Sequence, residues 1–158
     1  MLTSVKRQAA RKSGKYTFAI VASRYNQRYV EAMVGEAQAV LQRRGARVQL
    51  ARVPGAFEIP VVATRLARKA KARKGSLAGI ICLGVILRGE TVHAAHIGEA
   101  VSRALMEIQL RYEIPVVHEV LLLENEKQAH ARCLGKKYNR GAEAAETALA
   151  MANVMAGL

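Results

Sequence analysis

Tryptophan is absent from this chain, phenylalanine occurs twice and tyrosine five times, so aromatics make up only 4% of its residues. A platform for single-stranded nucleic acid needs rings interleaved with cations, and these few rings are not placed among the basic residues. Cysteine is nearly missing too. Cys82 sits in an apolar run and Cys133 in a helical pattern, which gives neither a disulfide framework nor a metal-ligand spacing. Free thiols fit a reducing compartment. No apolar run approaches the roughly 18 residues of a membrane-spanning helix. The opening stretch, MLTSVKRQAARKSGKY, is basic without a following apolar segment, so a cytoplasmic location is expected.

Acidic residues are also scarce, 12 against 25 lysines and arginines, for a formal charge of +13. Such a balance suggests nucleic acid until its distribution is considered. Lys6, Arg7, Arg11, Lys12 and Lys15 belong to a basic tail over 1–15, and Arg65, Arg68, Lys69, Lys71, Arg73 and Lys74 close a helix. Cations in a last helical turn complement the helix dipole and solvate a surface. The pattern argues against nucleic acid as a partner, and a phosphorylated small molecule would be welcome in the same field. A hydrophobic share of 51% is ample for the core of one domain, read here as 16–158.

Strand and helix patterns alternate along that domain. Tyr16–Ala22 reads as a first strand, followed by a helix from Gln27 to Arg44 with Val30, Met33, Val34, Ala37, Val40 and Leu41 on one face and Gly45 as its stop. Arg47–Val53 is the weaker pattern of a strand nearer an edge. Pro60 then fits the first turn of a helix reaching Lys74. Ile80–Leu87 is the most apolar run, as in a strand covered on both faces. A helix from Thr91 to Tyr112 buries Ile97, Val101, Ala104, Leu105 and Ile108. Val116–Leu123 is the fourth strand, Asn125 caps a helix through Arg132, Gly135 and Gly141 bracket a break, and Ala142–Ala156 closes the chain, burying Ala145, Ala148, Leu149, Ala152 and Met155. This order predicts an α/β fold, a parallel sheet with helices on both faces.

In open sheets of this kind ligands bind beyond the carboxyl ends of the strands. Those ends are Ser23–Asn26, Gly55–Glu58, Gly84–Thr91 and Leu121–Asn125. Tyr25 and Phe57 offer rings there for a planar heterocycle, although an aromatic at a strand end is as often packing as binding. Glu58 offers a carboxylate, or only decorates the start of its helix. The third strand runs without pause into Arg88-Gly89-Glu90-Thr91, where a glycine turn and the free amides of a helix start could hold a phosphate. His93 follows at once, and an imidazole moves protons at neutral pH. His93, His96 and Glu90 lack a third strong ligand of suitable spacing, so no metal is expected.

The segments SRYN, VPGAFEIP, CLGVILRGETVH and KYNRGAEAA, in this order and spacing, resemble the lumazine synthase family from about Tyr16 to the C-terminus. The resemblance implies a flavodoxin-like three-layer sandwich with a four-stranded parallel sheet, assembled as pentamers or shells of pentamers with sites between subunits. It implies condensation of 5-amino-6-(D-ribitylamino)uracil with 3,4-dihydroxy-2-butanone 4-phosphate to 6,7-dimethyl-8-ribityllumazine, without a cofactor, and admits riboflavin synthase as a partner. By position, Tyr25 corresponds to the ring stacked on the pyrimidine. Ala56, Phe57 and Glu58, with Val85, Ile86 and Leu87, correspond to the segments meeting the ribityl chain and pyrimidine. Gly89, Glu90 and Thr91 match the phosphate cradle, Arg132 the arginine reaching the phosphate from an adjacent subunit, and His93 the proton-transferring histidine. His118 stands where the family carries an aromatic ring over the pyrimidine, and Ala94, Ala95 and His96 replace bulkier or acidic residues. A binding module on the same fold, or a nucleic-acid-packaging shell, is the alternative; a proton shuttle beside a phosphate clamp favours the enzyme.

Overall fold

The computed structural model describes residues 16–158; the basic tail over 1–15 lies outside the described residues. Four strands, β1 (Thr17–Ser23), β2 (Arg47–Val53), β3 (Gly79–Leu87) and β4 (Val116–Leu123), form one parallel sheet in the order β2-β1-β3-β4. Helices α1 (Gln27–Arg43), α2 (Ile59–Ala72), α3 (His93–Tyr112), α4 (Glu126–Cys133) and α5 (Arg140–Ala156) cover its two faces, and a 3-10 turn, Ala56–Glu58, precedes α2. Two cores result. Phe18, Ile20, Ile81 and Leu83 pack with Met33, Leu41 and Leu149 under α1 and α5, while Ala19, Val21, Ile80 and Cys82 pack with Ile59, Val101 and Leu105 under α2 and α3.

Successive side chains of a strand point to opposite faces, and β3, flanked on both sides, is therefore apolar at every position. β2 is an edge strand, and only its last residue, Val53, is fully buried. The chain turns off β1 to one side and β3 to the other, so the sheet's switch point lies between β1 and β3. That is where this class of fold opens a crevice.

The α1 face expected from periodicity is buried throughout. Gly45 ends that helix in the left-handed region at φ 78, with its N–H donating to Gln42 O and the Ala46 N–H donating to Leu41 O, which satisfies the last free carbonyls. Several expectations shift. α3 begins at His93, not Thr91: Val92 takes the cap position in a helical conformation without a side-chain bond. α5 begins at Arg140, not Ala142, because the buried Asn139 accepts the N–H groups of Gly141 and Ala142 and so starts the helix two residues early. Gly141 is therefore inside the helix rather than at a break. Met155 is exposed, since α5 has by then run past the sheet it covers; Ile97 and Ala104 are half-buried.

Both cysteines are free and buried, and burial pushes the thiol of Cys82 up to about 12 and that of Cys133 up to about 11. Neither is a nucleophile at neutral pH. Among the described residues no helix is long and apolar enough to cross a membrane, and no group of three or more metal-ligating side chains converges.

Candidate active site

The turn after β1 is built first, because the other parts rest on it. Asn26 occupies the left-handed region at φ 54, a conformation asparagine tolerates better than most residues. Its Nδ2 donates to Val85 O at 2.7 Å, tying the end of β1 to the end of β3 across the switch point. The Arg24 N–H donates to Val53 O and the Tyr25 N–H to Pro54 O, which joins the same turn to the end of β2. With its backbone so held, Tyr25 projects a ring that is 74% exposed. Asn26 is the residue sequence reasoning named only as loop; its signal was an asparagine at a strand-to-helix turn.

Beyond β2 the Glu58 carboxylate folds back and accepts the Gly55 N–H at 2.9 Å, closing the 3-10 turn. That bond leaves Phe57 projecting, 62% exposed, while Ala56 is buried in the core beneath. A Cβ placed on Gly55 would come 3.8 Å from Cδ2 of the Tyr25 ring, so the Tyr25 and Phe57 segments are adjacent. Arg24, Tyr25, Asn26, Arg52 and Pro54 line an open groove of ≈ 640 Å³. Arg52 is held by Glu31, Nη2 to Oε2 at 2.8 Å, leaving Arg24 as the freer cation of its wall.

At the end of β3, Val85 is buried, 2% exposed, and offers only backbone, whereas Ile86 and Leu87 are half-buried. Arg88 anchors the departing chain to β4 through its N–H on Leu123 O and its guanidinium on Glu124 at 2.9 Å. Gly89, Glu90 and Thr91 then form an exposed bend. The Thr91 hydroxyl accepts the His93 N–H at 3.4 Å, a weak bond, and the His96 N–H reaches Val92 O. The intervening first-turn amides face outward with the positive end of the helix dipole. His93 is exposed, and its ring has no hydrogen-bond partner among the described residues.

Two predicted residues stand apart from this cluster. His118 lies mid-strand in β4, paired in register with Cys82, whereas Val85–Leu87 pair with Leu121–Leu123. Three residues of parallel strand separate the two levels, about 10 Å. Its Nε2 lies 2.7 Å from Ser102 Oγ on α3. Arg132 is exposed on α4, in the layer with α1 and α5, while His93 heads α3 in the opposite layer. One chain thus assembles Tyr25, Phe57, Glu58, the β3 end, the Gly89–Thr91 bend and His93, and does not add Arg132 or His118.

A doubly wound parallel sheet with its exposed rings, carboxylate, free helix amides and histidine gathered beyond the carboxyl ends of β1, β2 and β3 defines an α/β protein of the flavodoxin-like type. A family profile described as 6,7-dimethyl-8-ribityllumazine synthase matches residues 15–156. The chain is similar to proteins named 6,7-dimethyl-8-ribityllumazine synthase from Xanthomonas oryzae pv. oryzae, at 39% identity over 87% of this chain and 88% of the relative, and from Stenotrophomonas maltophilia, at 39% over the same shares. One from Xanthomonas euvesicatoria pv. vesicatoria is 38% identical over equal coverage. The chain belongs to the 6,7-dimethyl-8-ribityllumazine synthase family.

Proposed function

We propose that the protein condenses 5-amino-6-(D-ribitylamino)uracil with 3,4-dihydroxy-2-butanone 4-phosphate to 6,7-dimethyl-8-ribityllumazine. The observation that carries this is the placement of His93 as the first residue of α3, directly after the exposed Gly89–Thr91 bend and on the same sheet edge as Tyr25 and Phe57. Free amides there suit a phosphate, two exposed rings suit a planar pyrimidine, and an imidazole between them suits proton transfer. In sequence, the aryl amine attacks the ketone and water leaves to give an imine. A proton is removed beside it, inorganic phosphate departs, and the ribityl-bearing nitrogen closes the ring with loss of a second water. His93 serves as the proton carrier. The remaining work is positioning and anion stabilisation, done by the Glu58-closed turn and the α3 amides.

Arg132, the phosphate clamp, and His118, over the pyrimidine, belong in this reading to the site of an adjacent subunit, since they lie away from their own chain's cluster. A cyclic, heterologous contact lets every subunit give one half to each of two sites. We place the enzyme in the cytoplasm as a ring of five or a multiple of it, with riboflavin synthase as the enzyme positioned to consume its product. Small residues on α3 give mixed support: Ala94 is buried and Gly98 packs against Leu122 of its own β4, whereas Ala100 is exposed.

The test is an absorbance assay for the lumazine product with purified protein and both substrates; no product above the spontaneous rate would overturn the assignment. Arg132→Lys is expected to raise KM for the phosphorylated substrate about tenfold with little change in kcat, because a planar guanidinium grips phosphate with two parallel bonds and an ammonium does not. An unchanged KM for that substrate, with the ribityl substrate affected instead, would place Arg132 in the wrong pocket.

A further inference from the structure

His118 has both of its ring nitrogens engaged within the chain. The Val120 N–H donates to Nδ1 at 3.1 Å, so Nδ1 carries no proton. The Ser102 hydroxyl has one proton, and it donates that proton to Gly98 O at 2.7 Å. Ser102 Oγ, 2.7 Å from Nε2, is therefore left as the acceptor of an Nε2–H. The chain of bonds runs one way, from the Val120 amide to Nδ1, then from Nε2–H to Ser102, then from Ser102 to the carbonyl of Gly98. A neutral imidazole fits it; an imidazolium would set an Nδ1–H against the Val120 N–H.

We propose that Ser102 is a positioning residue for His118, fixing it as the neutral Nε2–H tautomer in one orientation, so that a planar pyrimidine meets the face of an uncharged ring rather than a proton donor. This rests on the assignment of His118 to the pyrimidine subsite made above. It explains how a histidine can occupy a stacking position: with both nitrogens committed internally, what it offers outward is a π face.

The surroundings hold the ring neutral. Although His118 is exposed on the single chain, partial burial of its ring keeps its pKa below the ordinary imidazole value. Its register neighbour on β3, Cys82, is a buried thiol pushed up to about 12, and so uncharged. On its own strand, Val116 and Val120 share its face and carry no charge. On α3, the charged residues flanking Ser102 in sequence are Glu99 and Arg103, both exposed. The sign follows: the folded protein favours neutral His118, so the arrangement is complete at and above about pH 6.5, the unperturbed value, and is lost only as pH falls through the lower folded value. The Val120 N–H also points to the free edge of β4, and the bond to Nδ1 covers it there as the Gln109 side chain covers the Val116 N–H.

The experiment is steady-state kinetics on the assembled enzyme from about pH 5.5 to 8, with the phosphorylated substrate saturating, for the native protein, Ser102→Ala, His118→Phe, His118→Ala and the Ser102→Ala/His118→Phe double variant. At about pH 7.5, Ser102→Ala should raise KM for the pyrimidine substrate about threefold to tenfold with kcat within about twofold, the signature of lost binding rather than lost chemistry. The native enzyme should show a rise in that KM as pH falls below about 6.5, and His118→Phe should hold KM within about threefold of native at about pH 7.5, remove that acid rise, and make KM indifferent to Ser102→Ala. Two outcomes would overturn the proposal while leaving the subsite assignment standing: an equal effect of Ser102→Ala in the His118→Phe background, or an acid rise in KM that His118→Phe shares. An unaltered KM in His118→Ala would instead remove His118 from the pyrimidine subsite, and the proposal with it.

Discussion

Replacing His93 with alanine is expected to lower turnover about tenfold to a thousandfold while leaving the fold and the assembly intact, since a positioned general acid–base contributes on the order of 10²–10⁴ in rate and water restores part of it. The fold is spared because the ring is exposed and bonds to no described residue; what α3 needs at this position is only its backbone N–H. Turnover with both substrates, beside light scattering on the same sample, decides the matter. Normal turnover would remove His93 from the mechanism. The variant also probes the shared site. His93 heads α3 in one layer of the domain and Arg132 lies on α4 in the other, so refolding impaired His93→Ala subunits together with Arg132→Ala subunits should raise activity above that of either variant alone, at interfaces that pair the two intact halves. Mixed assemblies that form but are no more active than either variant alone would defeat the shared-site arrangement.

Gly141→Ala is expected to destabilise the domain by about 4 kcal/mol or more, in the range reserved for severe core disruptions. A Cβ at this position would fall deep inside contact distance of the Met33 carbonyl, with Met33 C and Cα behind it, all backbone atoms of α1 that cannot swing aside. The first turn of α5 must then lift from α1, which opens the core that Met33, Leu41, Ala145 and Leu149 share. The sign is opposite to the usual one, because glycine to alanine within an exposed helix stabilises by about 0.8–1 kcal/mol. Gly35 on α1 supplies the contrast. Nothing lies within 4 Å of a Cβ built there, so Gly35→Ala should raise stability by up to about 1 kcal/mol. Urea unfolding of both variants measures the pair, and a Gly141→Ala midpoint no lower than native would show that α5 can slide on α1 without loss.

Much of the site was legible because its parts are local. The run Ile80–Leu87 followed at once by Arg88–Thr91 and His93 announces a buried strand delivering a helix start to the sheet edge, and the structure places them so. Tyr25 and Phe57 were legible as strand-end rings, and both project into solvent. The start of α3 was misplaced by two residues because threonine is a good cap in isolation, whereas here the chain stays in a bend through Thr91, whose hydroxyl meets the His93 N–H only at 3.4 Å. Glu119 gave no signal. A carboxylate inside a strand pattern reads as solvent-facing, yet it is buried, its pKa pushed up by that burial, and it is kept in place by Arg140 Nε at 3.0 Å.

What the sequence by itself determined is much of what depends on neighbours along the chain: the alternation of elements, the buried face of α1, the cap at Asn125, and therefore a parallel sheet of the kind that binds ligands at its carboxyl edge. Periodicity and caps act over a few residues, so they survive in one dimension. Only the tertiary structure decided which residues from distant segments meet. Asn26 reaches Val85 across the switch point, Gly141 lets α5 lie on the backbone of Met33, and Ser102 fixes the ring of His118. It also set His93 and Arg132 in opposite layers of one domain. Those pairings depend on strand order and on which face of the sheet each helix covers, and neither leaves a periodic mark in the sequence, because any helix with the same apolar stripe could have covered either face.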